Sequence, residues 1–378
     1  MKEPRVRFQT RTPFQLDLRK RTDAYLDVEG RERAGFRAIR IKTAILFAWL
    51  AGGLAIGLST HAWPLILLGA VLAGLAMAGL GMSVQHDGGH RSYSRSPGLN
   101  LAAASVLDFL GGSSHIWRFK HAVAHHSYPN IEGADEDIAL MPLARMAPGQ
   151  PHRWFHRGQH VYMPLLYGII SIKWVWLDDY RRLWTGKVGS TPIARPRGST
   201  LAILIIGKLV HALWAVALPI ALLGLLEGLV FYNVMLFTCG FTLALVFQLA
   251  HCVEEAEFVQ LPESANGSVI ERDFAVHQLA TTVDFARESR WLTWYIGGLN
   301  FQAVHHLLPR VCHVHYAGLA PIIERCCMDH GVAYKSNPSL SAAIGSHLRW
   351  LERMGRGEPP APALSVPEAL ATPSVQAA

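Results

Sequence analysis

Between Lys42 and Asp87 the chain runs for 44 residues without one Asp, Glu, Lys or Arg. A membrane-crossing helix needs roughly 20 consecutive apolar residues, so this run holds two spans. Thr60, His61 and Pro64 mark the turn between them. A second apolar block extends from about Leu201 to Ala250, interrupted by Lys208 and Glu227. The 18 residues between those two supply a third span, and the 26 between Glu227 and Glu254 a fourth. Composition agrees, because 17% charged residues is well under the roughly 25% of soluble domains. The expected fold is all-α: a polytopic membrane protein with four transmembrane helices, near 43–60, 64–84, 205–226 and 228–250, and a cytoplasmic helical cap carrying a di-metal site.

The net charge of +7 has a topological explanation rather than a nucleic-acid one. The turns near 60–64 and 224–229 contain no Lys or Arg, whereas the N-terminal region, the segment between the apolar blocks and the C-terminal region carry nearly all of them. The positive-inside rule places those three regions in the cytoplasm. Residues 1–41 read as a cytoplasmic lead-in, in which "PFQLDLRKRTDAYLD" has the spacing of an amphipathic surface helix. The lead-in is polar and Arg-rich, so span one is expected to be its own insertion signal. Residues 98–112 are apolar but too short to cross, and "YMPLLYGIISIKWVWLDDYRRLW" reads as an interfacial helix. The main domain covers 42–357, and 358–378 is a Pro/Ala-rich tail expected to be disordered. None of the five Cys forms a CxxC pair, so no zinc ribbon or disulfide framework is indicated. Arg outnumbers Lys 27 to 8, which suits a GC-rich bacterial genome and a cytoplasmic-membrane location.

The 19 histidines are clustered. Box one is "HDGGH", His86 and His90; box two is "HAVAHH", His121, His125 and His126; box three is "QAVHH", Gln302, His305 and His306. His251 ends span four in "HCVEE". Residues three or four apart share a helix face, so His86 with His90, and His121 with His125, are expected to aim at one place. Adjacent residues diverge by about 100°, so the doublets His125–His126 and His305–His306 suit two metals better than one. Imidazole suits Zn, Cu, Fe and Ni. Missing thiolates argue against structural zinc, and both Glu-x-x-His and HExxH are absent. An all-nitrogen pair of irons that activates O2 fits this donor set best.

A lone histidine is more often a surface or core side chain than a ligand. That reading applies to His61, His115, His152, His156, His160, His211, His313, His315, His330 and His347. Metal-bound imidazoles usually donate their second N–H to a carboxylate or carbonyl. Asp87, Asp135, Asp137, Glu254, His277 and Asp284 are the candidates for such support, with plain solvation as the rival reading for Asp135 and Asp137.

These motifs resemble the membrane fatty-acid desaturase superfamily with its three histidine boxes, most closely the front-end, linoleoyl-CoA-desaturase-like branch. There the third box begins with Gln, as Gln302 does here. "KHAVAHHSYPNIEGADEDI", "FQLAHCVEEAEF", "HQLATTVDFARES" and "GGLNFQAVHHLLP" carry the likeness, which spans about residues 35–335. The resemblance implies two iron ions bound by His86, His90, His121, His125, His126, His251, His305 and His306, with Gln302 as a weaker ligand. It implies O2-dependent insertion of a double bond into a fatty-acyl chain carried by CoA, a carrier protein or a lipid. Two departures stand out. There is no His-Pro-Gly-Gly haem motif, so electrons are expected from a separate ferredoxin or flavoprotein reductase. Box two also has three residues before its doublet where other branches have two, which leaves the place of His121 open. Trp291, Trp294 and Tyr295 are candidates for an acyl tunnel or for interfacial anchoring. The rivals are a hydroxylase or ketolase with the same ligands and, more remotely, a membrane metal-binding or transport protein.

The charge asymmetry puts both termini in the cytoplasm. A reporter fused after Ala378 should therefore be active only in its cytoplasmic form, and activity confined to the external side would reverse the topology.

Overall fold

The computed structural model describes residues 7–28, 31–189, 191–260 and 269–358. The expected tail lies outside these residues apart from Glu358. The fold is all-α, with four helices among the described residues long and apolar enough to cross a membrane: Gly35–Leu58, Trp63–His90, Gly198–Leu223 and Leu225–His251, called spans one to four. Their ends differ from the charge-free intervals. Residues 31–41, counted with the lead-in from sequence, are the first turns of the helix Arg31–Leu58. Span two continues past the apolar run to His90. Backbone hydrogen bonding does not stop where charge begins, so hydropathy marks the lipid-facing stretch and misses the helix ends.

Lipid tails are as apolar as leucine, so spans must associate through close packing rather than hydrophobic exclusion. Small residues at four-residue spacing allow it. Gly53 and Gly57 of span one lie against Gly69 and Ala73 of span two: a Cβ on Gly69 would fall 2.4 Å from the Gly57 Cα. Span two meets span four through Gly74, where a Cβ would fall 2.4 Å from the Met235 carbonyl oxygen. The outward residues Leu65, Leu68, Ile206, Leu209 and Leu213 are exposed, which suits a surface solvated by hydrocarbon.

The cap is built from the segments before, between and after the spans. Helix Pro13–Leu26 buries Phe14 and Leu18 in one cluster with Leu319 and Ile323 of helix Tyr316–Asp329. Its apolar face is filled by protein, so the amphipathic spacing seen in the sequence serves the cap. The segment read as interfacial is helical over Gln159–Tyr167 and Ile169–Thr185 and packs along span four. Helix Leu340–Arg356 closes the cap, with Trp350 fully buried and its indole N–H donating to the Met146 carbonyl at 3.0 Å. Among the described residues the strands form three two-stranded pairs, Arg7–Gln9 with Val269–Asp273, Lys187–Val188 with Thr191–Pro192, and Asp284–Phe285 with Ser336–Asn337.

The glycine seam carries a prediction. Gly69→Leu should destabilise the protein by about 2 kcal/mol or more, since overpacking against backbone cannot relax. Gly52→Leu, where a Cβ meets nothing within 4 Å, should be near neutral. Thermal unfolding of both variants in detergent is the check, and equal stability would rule out the seam.

Candidate metal centre

Box one is the last turn of span two. The α-helix Trp63–Leu80 widens to a π-helical turn over Gly81–Gln85, then resumes as His86–His90. Arg91, with φ 63°, ends it in the left-handed region, its N–H bonded to the Asp87 carbonyl. The two imidazoles stand 4.7 Å apart between ring centroids. Such π turns recur at functional sites because each extra residue rotates the side chains that follow it.

Box two is also π-helical, over Arg118–His125. The N–H of His126 bonds to the carbonyl of His121, five residues back. The wider turn absorbs the extra residue of box two. His121 therefore meets His126, Nε2 to Nε2 at 3.3 Å. The α-helical expectation that His121 and His125 would aim at one place is corrected by this geometry. Box three is the short helix Gln302–Leu307, and His251 is the last residue of span four.

The structure brings all nine predicted donors together, every one buried. The ring nitrogens of His86, His90, His121 and His305 lie within 4.8 Å of one another. Those of His125, His251 and His306 form a second group by the same measure, and His126 joins His305 and His306 between the two. Gln302 Nε2 stands 2.8 Å from His251 Nε2. Nε2 of His90, His125, His305 and His306 and Oε1 of Gln302 are buried without a hydrogen-bond partner among the described residues. A buried polar group left unpaired costs about 1–3 kcal/mol, so so many orphaned donors facing one volume fit two metal ions.

Protonation agrees. Burial drives His121, His126, His305 and His306 well below the ordinary histidine value, and neighbouring imidazoles push the same way. The neutral ring is the ligating form. His125 differs: burial opposes its charge, but the Asp135 and Asp137 carboxylates outweigh it and the value rises. An Nδ1–H held by carboxylate leaves Nε2 free for a metal.

The supporting residues are distributed as follows. Asp135 accepts from His125 Nδ1 at 3.1 Å and from the Asn130 N–H at 2.9 Å. Asp137 lies 3.4 Å from His125 Nδ1 and pairs with Lys120. Asp87 touches no box imidazole within hydrogen-bond reach; it accepts from His313 Nδ1 at 2.9 Å. Asp284 accepts from the Ala303 N–H at 3.0 Å and the Tyr334 hydroxyl at 2.6 Å, and so fixes the start of box three. Glu254 forms ion pairs with Arg349 and Arg353 at the cap surface. His277 bonds the Pro129 carbonyl through Nε2 at 3.1 Å.

Three supports have no counterpart in the sequence reading. Gln278 Oε1 accepts from His306 Nδ1 at 2.7 Å, while its Nε2 donates to the His126 carbonyl at 3.0 Å. The Tyr316 hydroxyl lies 3.2 Å from His305 Nδ1, and the Thr281 carbonyl accepts from His251 Nδ1 at 3.2 Å. His313, assigned from sequence to the non-ligating set, is buried between Asp87 and Lys42, whose Nζ is 2.9 Å from its Nε2. A polar residue inside an apolar stretch, such as Gln278 within "AVHQLA", was the available signal. Of the tunnel candidates, Trp291 is exposed, the Trp294 ring takes the Lys42 ammonium on its face, and Tyr295 bonds the Leu75 carbonyl.

Four apolar helices capped by a buried polyhistidine cluster define a membrane protein with a centre suited to metal ions at one mouth of the bundle. The chain belongs to the fatty acid desaturase family, whose model matches residues 61–338. It is similar to the sn-1 linoleoyl-lipid 6-desaturase of Synechocystis sp., 36% identical over 354 residues that cover 93% of this chain and 98% of the relative. The protein of the same name from Arthrospira platensis is 33% identical over 361 residues, covering 93% and 95%. The acyl-lipid (8-3)-desaturase of Physcomitrium patens is 36% identical over 294 residues, covering 76% of this chain and 60% of that one. The chain is thus an oxidoreductase of the front-end branch, an acyl-lipid desaturase.

Gln278→Leu and Tyr316→Phe each remove a partner of an imidazole while keeping its bulk. Each should weaken metal retention by about ten- to a hundredfold. Metal content after dialysis against graded chelator measures this, and wild-type retention in both would show that these bonds leave the centre unaffected.

Proposed function

We propose that the protein inserts a C=C bond into the acyl chain of a membrane glycerolipid, using O2 and two electrons from a separate ferredoxin or flavoprotein. In this reading two iron ions are held by His86, His90, His121, His125, His126, His251, His305 and His306, with Gln302 as a neutral, weaker donor. The observation that carries it is the set of buried, partnerless Nε2 atoms on His90, His125, His305 and His306. The names of the relatives favour a linoleoyl-type lipid as substrate. The Lys/Arg asymmetry favours the cytoplasmic face of a bacterial cytoplasmic membrane for the site.

When bound, the irons would supply the reductive activation of O2 needed to take two hydrogens from unactivated methylenes. The chain's own groups supply the setting. Asp135, Gln278, Tyr316 and the Thr281 carbonyl hold the Nδ1 sides of four imidazoles, which turns each Nε2 inward. Burial keeps most of these rings neutral and excludes water, which limits side reactions of a strong oxidant.

Expression in a host of simple lipid profile, followed by gas chromatography–mass spectrometry, should show an acyl product lacking two hydrogens. A product that has gained one oxygen would replace this reading with a hydroxylase. His90→Ala and His305→Ala should each abolish the product while the protein still accumulates in the membrane. Substantial activity in both would remove the metal assignment. Gln302→Ala should lose iron and most turnover, whereas Gln302→His should retain iron. Full iron per monomer and wild-type turnover in Gln302→Ala would make the position structural.

A further inference from the structure

Beside box one, and separate from the histidine cluster, lies a cleft of about 780 Å³, a volume typical of small-ligand sites. Phe36 near the start of span one forms one wall, and Thr200 and Ile203 near the start of span three form another. Both spans begin at the cap, so the cleft sits where bilayer headgroups meet the protein. Gly88 and Gly89, the two residues preceding His90, also line it.

Four arginines reach this cleft: Arg91, Arg95, Arg118 and Arg310. Arg95 is paired with Glu32. Arg91, Arg118 and Arg310 are exposed and form no side-chain hydrogen bond or ion pair among the described residues. Among the described residues, Glu32 and Asp27 are the acidic groups of the lining. With Glu32 engaged, Asp27 is the remaining described carboxylate of a lining that also holds three arginines without a partner among the described residues. A neighbouring hollow shares Phe36 and adds Arg37 and Arg40.

Arginines at the end of a span are ordinarily explained by membrane orientation. That accounts for Arg37 and Arg40 on the outer side of span one. It does not account for three arginines, without a partner among the described residues, lining one hollow from separate segments. Arg91 follows box one, Arg118 precedes box two and Arg310 follows box three, so each is held by a segment that also carries an imidazole of the cluster. Leu26, Leu101 and Ala104 add apolar surface, which suits a glycerol backbone and the first carbons of its chains. Guanidinium is the side chain that best matches phosphate oxygens.

We propose that this cleft receives the phosphate-bearing headgroup of the lipid substrate, with Arg91, Arg118 and Arg310 reading its charge. The proposal rests on the acyl-lipid desaturase reading and adds the headgroup class: an anionic glycerophospholipid in preference to an uncharged glycolipid.

The test uses the full chain, loaded with ferrous iron and supplied with O2 and reduced ferredoxin, in nanodiscs holding equal amounts of phosphatidylglycerol and monogalactosyldiacylglycerol with the same acyl chains. New double bonds are counted in each lipid by liquid chromatography–mass spectrometry. Binding of phosphatidylglycerol to the purified protein is followed separately by native mass spectrometry. Wild-type protein should favour phosphatidylglycerol by on the order of tenfold or more. The double variant Arg118→Gln/Arg310→Gln should lose that preference and the binding, and Arg118→Lys/Arg310→Lys should restore part of both. Equal use of the two lipids by wild type, or an unchanged preference in the Gln variant, overturns the proposal. So does displacement of the lipid by inorganic phosphate at equal concentration, which would mark a free-anion site. Preferred turnover of acyl-CoA with the same arginine dependence, or a raised KM for the electron donor with lipid preference intact, also overturns it. If no lipid gains a double bond while phosphatidylglycerol still binds through these arginines, the desaturase reading fails and the headgroup site stands.

Discussion

Eight imidazoles and one carboxamide share a small, buried volume, and the rest of the cap is arranged around the cost of putting them there. Each ring has two nitrogens. With Nε2 facing the centre, Nδ1 turns to the far side, and for several rings it meets a partner from another segment. Tyr316 serves box three from the helix that follows it. Gln278 ties box three to the backbone of box two. Asn130, itself in the left-handed region at φ 54°, joins the loop after box two to the His251 carbonyl at 2.9 Å. Removing one partner therefore leaves a buried polar group unmatched and loosens a junction between segments.

The bilayer sets the second constraint. Helix association there depends on close backbone approach, which Gly53, Gly57, Gly69 and Gly74 provide. The seam between spans one, two and four in turn places the ends of spans two and four, His90 and His251, at the same mouth of the bundle. A rigid bundle beneath and a hydrogen-bonded cap above fix two groups of donors without any one element carrying a complete group.

Much of the site was readable in the residues because its chemistry is repetitive. Paired histidines at short spacing, a Gln in place of one of them and a histidine at the end of an apolar run all named members of the cluster. The spacing rule failed where the backbone departs from the α-helix. In box two an α-helix would pair His121 with His125; the π-helical turn brings His121 to His126. Asp87 and His313 show a second kind of gap. They are 226 residues apart, and no local pattern could mark either as the partner of the other.

The sequence by itself determined the membrane class, the number of spans and which histidines, with Gln302, gather in the cluster. These follow from hydropathy and side-chain chemistry, which are properties of residues wherever they sit. Only the tertiary structure decided how the donors divide between two groups, which carboxylates and carbonyls hold them, and that three arginines from three segments meet in one cleft. Those are distances between segments far apart in the chain, and they are set by helix packing and by π turns whose hydrogen-bond register leaves no fixed trace in local composition.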